Sequence, residues 1–203
     1  MSTTIPFIDQ IIADPLTIVA EHATAVNRSV NGARQAVSYG GGYWKISFSL
    51  NFLNQNQADT VTAFFRKQQG KLGTFDFELP FFLASQITHT GQIFVKGANQ
   101  TGTQITVDNL PASKNRILSE ETYIQFQNSK KVYALTEPLN SDTNGEGILY
   151  LNFPLMGIMP VDNEEIIYRA PVFPVALNTD SFVRNYDGNL RSSFEIELVE
   201  VWN

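Results

Sequence analysis

The run Trp44-Lys45-Ile46-Ser47-Phe48-Ser49-Leu50-Asn51-Phe52 alternates large apolar and polar residues without a break. Side chains along a β-strand point to opposite faces with a period of two. Trp44, Ile46, Phe48, Leu50 and Phe52 are therefore expected on one face of a sheet, against a core. Such a face needs partner strands beside it and a second layer over it. The neighbouring sequence offers both. Thr74 to Leu79 repeats the pattern, with Phe75, Phe77 and Leu79 inward and Asp76 and Glu78 outward. Between the two runs, Asn54 is a good N-cap and Gln57, three residues on, completes a capping box. Ala58, Val61, Phe64, Phe65 and Gln68 follow at helical spacing. This predicts a helix over 55–69, ended by Gly70 as the left-handed residue, with Val61, Phe64 and Phe65 buried. On that reading Phe64→Ala costs ~3–5 kcal/mol.

Upstream, 16–20 and 24–30 read as strands that lead into Asn31-Gly32, a type I′ hairpin signal, with 33–39 as the return strand. Gly40-Gly41-Gly42 reads as a flexible turn or bulge that breaks the chain before the strongest strand. A triple glycine can cradle a phosphate, but no lysine, Ser/Thr pair or helix follows it as a phosphate-binding loop needs, so the turn or bulge is the better reading. After Pro80 the strands shorten to 91–96, 103–107, 122–127, 131–136, 147–153 and 164–169, with turns rich in Gly, Asn and Thr. Short strands at this spacing suggest a small closed or partly open barrel.

From Pro171 longer strands return: Val172 to Leu177, then Ser181 to Tyr186, a turn at Asp187-Gly188, and a last strand. In that strand Phe194, Ile196 and Leu198 share one face and Glu195 and Glu197 the other. Val199 and Val201 then put apolar residues at odd positions, which predicts a bulge or a strand end buried on both sides. The expected fold is mainly β. An antiparallel sheet or sandwich domain with one packed helix forms from 1–83 and 171–203, and a small OB-like β-barrel is inserted at 84–170.

Composition supports a packed chain: 43 % of the 203 residues are hydrophobic, 15 are Phe, and only 17 % are charged. Cysteine is absent, which excludes disulfides, thiolate metal sites and cysteine nucleophiles. The net charge of −6 and the scattered basic residues argue against nucleic acid as a partner. Arg66-Lys67 and Lys130-Lys131, the dense basic pairs, read as solvated surface. No signal peptide is readable, and no stretch approaches the ~20 apolar residues of a membrane span. The chain is expected to be made in a cytoplasm, without membrane insertion.

Catalytic chemistry is thinly supplied. His22 and His89 stand far apart, outside any zinc-hydrolase or deaminase spacing, and His89 reads as a turn residue. There is no nucleophile elbow and no dinucleotide fingerprint. Asp76 with Glu78, and Glu195 with Glu197, sit two apart on strand faces, roughly 6.5–7 Å at the backbone, a span that overlaps glycosidase acid pairs. Outward polar residues are the default on an antiparallel sheet and nothing predicts a cleft beside either pair, so both read as outer-face polar residues and not as catalytic acids. Asp162, Glu164 and Glu165 read as a solvated loop. The chain is expected to have no catalytic, cofactor-binding or metal-binding residues. Tyr123, Phe126 and Tyr133 remain as aromatics of the insert that contact a sugar or protein ligand, or else form its core or an interface.

The run Gly41 to Leu50, the helix ending Phe64-Phe65-Arg66-Lys67, and Gly70 to Pro80 together resemble the first domain of the distal tail proteins of long-tailed phages. Ile124-Gln125-Phe126 followed by Lys131-Val132-Tyr133-Ala134-Leu135-Thr136 is similar to the version with an inserted OB-like domain. Glu121-Thr122 stands where Gly-Asp is usual in that family, so the turn chemistry departs there. Phe194 to Val201 looks like the family's closing strand. The resemblance implies a non-enzymatic virion protein, a hexameric ring at the tail tip. Such a ring joins the tail tube protein to the hub or baseplate protein and anchors fibres or receptor-binding parts. A carbohydrate-binding module that reads host glycan through the inserted barrel is the alternative.

Overall fold

The computed structural model describes residues 4–6, 16–79, 87, 89–186 and 191–202. The fold is mainly β with one α-helix, and every strand pairing is antiparallel. The largest sheet contains β1 (Thr17–Arg28), β2 (Arg34–Leu53), β3 (Thr74–Glu78), β10 (Val172–Leu177), β11 (Asn185–Tyr186) and β12 (Ser192–Glu200). Its order is β1-β2-β12-β10-β3, with β11 beside β12. The chain leaves this sheet after β3 and re-enters in β10, the strand paired with β3. Between them lie β4 (Phe94–Val95), β5 (Gln104–Asp108), β6 (Tyr123–Phe126), β7 (Val132–Ala134), β8 (Gly147–Tyr150) and β9 (Ile166–Ile167). Among the described residues these form two three-stranded sheets, β4-β5-β8 and β7-β6-β9. Isolated bridges at Phe94–Glu165 and Leu135–Leu151 link one to the other.

The alternation that marks β2 is obeyed: Trp44, Ile46, Phe48 and Leu50 are buried. A register shift opposite Ser192 to Phe194 adds one residue to β2, so that the buried position beyond it is odd, at Leu53. The side chain of Phe52 lies outside the described residues. Helix α1 (Gln55–Lys67) begins with the expected reciprocal capping box between Asn54 and Gln57. It is two residues shorter than predicted, and its left-handed terminator is Gln69, followed by Gly70 with φ also positive. Of the paired rings, Phe65 is fully buried. Phe64 is only half-buried, edge-on to Phe65 and Phe75 at 5.3 Å from each. Of the three residues that the spacing places inside, Val61 and Phe65 are buried and Phe64 is only partly so. Phe182 stacks between Phe65 and Phe194 at 4.8 and 5.2 Å, in a segment that is strand only at Asn185–Tyr186. The predicted turn at Asp187-Gly188 lies outside the described residues.

Two expectations change. The triple glycine does not break the chain but lies within β2, a single strand of 20 residues. His22 pairs with Gly42 and Thr24 with Ser38, so β2 carries two extra residues at this point, with Gly40 at φ +74°. The glycines supply a bulge inside a continuous strand. Nor does β12 change parity at its end. Phe194, Ile196, Leu198 and Glu200 all face inward, and the residue at 200 is a buried glutamate.

Candidate functional site

The inner face of the large sheet is covered in two parts, and the insert forms one of them. Trp44, Tyr123, Phe153 and Phe173 meet edge-on at 5.3–6.2 Å, joining β2 and β10 to the insert. Phe153 rests on Gly42, where an added Cβ would lie 2.0 Å from its ring. Polar groups fix the alignment. Trp44 Nε1 donates to the Val132 carbonyl at 2.8 Å. Gln125 and Val172 exchange a reciprocal pair of hydrogen bonds, Gln125 Nε2 to the Val172 carbonyl at 3.1 Å and Val172 N to Gln125 Oε1 at 3.2 Å.

At the centre of this joint, Glu200 of β12 is ion-paired with Lys131, both side chains fully buried. Glu200 also accepts from Val132 N at 3.0 Å and Trp44 N at 3.2 Å. Lys131 Nζ lies 4.6 Å from the Phe153 ring centroid and 4.3 Å from that of Trp202. Burial acts on both partners, raising the Glu200 carboxyl above its ordinary value and lowering the Lys131 ammonium below its own. Lys131 had read as solvated surface; instead it is the most buried cation among the described residues.

Phe126 and Tyr133, two of the three ligand-contact candidates, are buried to 1 % exposure. Met156 N donates to the Tyr133 hydroxyl at 3.0 Å, and burial pushes that phenol up to about 12. Tyr123 is half-buried against Trp44 and Phe173. The three rings belong to the insert core and its joint, so in this conformation Phe126 and Tyr133 offer no face to a ligand. The loop carboxylates are also structural in part. Glu164 is 4 % exposed and accepts from Asn128 N and Val161 N at 2.7 and 2.9 Å. Asp162 accepts from Gly97 N at 2.6 Å. Among the described residues no three His, Asp or Glu side chains gather as metal ligands. His89 stacks on Tyr168 at 5.8 Å, and its burial lowers the imidazole below its ordinary value. Glu78, Glu195 and Glu197 are exposed and Asp76 is half-buried, all on the outer face of the large sheet.

Two of the remaining surface features bear on function. On the insert, a groove of about 560 Å³ is lined by Thr106, Ile148 and Tyr150 together with the polar side chains of Glu137, Asn140 and Asp142. On the large sheet, β1 and β2 continue past their bulge as a two-stranded ribbon in which Thr24 to Tyr39 are all exposed. The ribbon reaches about 17 Å beyond Thr24 at the rise of an extended strand. It carries Val26, Val30, Val37 and Tyr39 into solvent. Its turn is a three-residue loop and not type I′. Gly32 N donates to the Ser29 carbonyl and Ser29 N to the Ala33 carbonyl, and only Gly32 is left-handed. The sequence pattern marked the hairpin; its exposure on both faces carried no signal, since alternation there is weak.

Among the described residues no helix is long and apolar enough to cross a membrane. No family model matches the chain, and no curated protein matches it significantly.

Proposed function

We propose that the chain is a structural protein that assembles into a ring at the distal end of a phage tail. There it joins tube to hub or baseplate and anchors fibres or receptor-binding parts. The observation that carries assembly is the exposed ribbon. An isolated two-stranded hairpin is marginal in water. This one exposes three valines and a tyrosine and has no third strand beside it among the described residues. A surface of that kind gains stability from a partner that covers it. The tail location rests on the sequence resemblance of residues 41–80, 124–136 and 194–201. A closed ring requires a contact between two different patches, related by a rotation that closes. Each contact is expected to bury more than about 1,000 Å².

Negative-stain microscopy and light scattering of the full chain test the reading. Rings that disappear when 24–38 is replaced by a short turn support it. A chain that stays monomeric at high concentration, with or without tube and hub partners, overturns it. A second reading, glycan binding by the insert, is favoured by one observation: the groove lined by Tyr150 combines a half-exposed ring with polar side chains. A glycan-array signal lost in Tyr150→Ala, in a chain that still folds, supports that reading.

A further inference from the structure

Arg28 and Arg34 are direct cross-strand partners at the tip of the ribbon. Directly opposed residues share a face, with Cβ atoms about 4.5–5.5 Å apart, and like charges in that position repel. Both are exposed, and among the described residues neither has a carboxylate within ion-pair reach. The chain has no Asp or Glu between Glu21 and Asp59, although its net charge is −6. The ribbon is therefore a cationic tip on an acidic protein, with a repulsive pair at its end.

The outer face of the large sheet is its electrostatic complement. Glu21, Asp76, Glu78, Glu195 and Glu197 point outward there; Lys45 is paired to Glu21 at 2.8 Å and is near Glu197, which accepts from Asn178 Nδ2 at 3.3 Å. Glu195 and Glu197 are exposed two apart on β12, so their backbones are about 6.5–7 Å apart. That spacing suits two guanidinium groups presented side by side. Within one copy, β12 lies beside β2 only between Leu53 and Lys45, with Glu195 opposite Ser49 and Glu197 opposite Ser47, so Arg34 at the tip is set well apart from them along the same strand.

We infer that Arg28 and Arg34 of one copy dock on Glu195 and Glu197 of a second copy of this chain. The contact joins two different patches, so it is of the head-to-tail kind that generates rings. The inference rests on the ring reading and specifies its contact. Two exposed charge pairs contribute about 1.4 kcal/mol in sum, so removing them raises the concentration for half-assembly about tenfold, and R28E/R34E, which sets like charges against each other, raises it further.

The test measures assembly of the full chain against concentration and salt, for wild type, R28E/R34E, E195R/E197R and an equimolar mixture of the two variants. Thermal unfolding of each confirms that it folds. The expected result is loss of assembly in each variant alone and recovery in the mixture, with wild-type assembly weakening as salt rises. In an assembly of alternating variants every contact again joins opposite charges, an acidic tip on a basic face and then a basic tip on an acidic face, so alternating assemblies recover. Wild-type rings with unchanged assembly in R28E/R34E overturn the inference and leave the ring reading standing. Loss in R28E/R34E without recovery in the mixture overturns the choice of Glu195 and Glu197. A wild type that never assembles overturns the ring reading itself, and the inference with it.

Discussion

Replacing Glu200 by Gln removes the one countercharge of a lysine that has no exposed side-chain surface. Lys131 Nζ then faces a neutral amide, between the rings of Phe153 and Trp202. The amide oxygen can still accept from Val132 N or Trp44 N, but its NH2 group meets the other donors and finds no acceptor there. Breaking a buried pair by neutralising one partner costs ~3–5 kcal/mol, because the remaining charge stays desolvated. For a chain of this size that corresponds to a fall in Tm of roughly 6–20 °C. Lys131→Met is expected to cost less, since two backbone N–H groups still stabilise the carboxylate and Met fills the lysine stem's volume. It also acquires a pH dependence. Burial already raises the Glu200 carboxyl above its ordinary value of 4.5, and loss of Lys131 raises it further. A group raised on folding contributes stability below its unfolded value and loses it as pH rises through the folded value. K131M is therefore closest to wild type near pH 4.5 and falls behind as pH increases. The assay is thermal and urea unfolding of the two single variants and the K131M/E200Q double variant across that range. The double variant is expected to be less destabilised than the sum of the singles by more than about 1 kcal/mol. Additive costs, or a Tm unchanged in E200Q, refute the buried pair as the centre of the joint.

Other perturbations test the surrounding packing. Phe65→Ala is expected to cost ~3–5 kcal/mol by urea unfolding, and Phe64→Ala roughly half as much, since only Phe65 is fully buried. Gly42→Ala drives a methyl into the Phe153 ring and is expected to cost ~1–3 kcal/mol, relieved in part when Phe153 is shortened to Leu. Asn54→Ala removes the cap of α1 and is expected to cost about 1 kcal/mol, read as a lower urea midpoint.

Local chemistry was legible in the residues themselves. The burial of Trp44, Ile46, Phe48 and Leu50 follows from a period of two, and the start of α1 from Asn54 and Gln57, three residues apart. These signals survive because each depends on neighbours within one or two turns of chain. The outward carboxylates of β3 and β12 were placed on their face by the same alternation. The insert's rings were legible as aromatic but not as buried. Whether Tyr133 is core or ligand platform depends on what the rest of the chain lays over it.

What tertiary structure decided is where local pattern and long-range pairing disagree. Three glycines permit a break or a bulge, and β1, paired across them on both sides, makes them a bulge in one strand. Val199 and Val201 suggested a change of parity, yet inward positions continue to Glu200, because a lysine 69 residues away meets it there. A buried charge is tolerable only with a partner and hydrogen bonds in place. The sequence by itself determined the strands, the helix and their apolar faces, since those follow from backbone geometry and short-range spacing. Only the folded arrangement decided which polar residues are inside, because a charge is stabilised there by groups that the chain brings together from far apart.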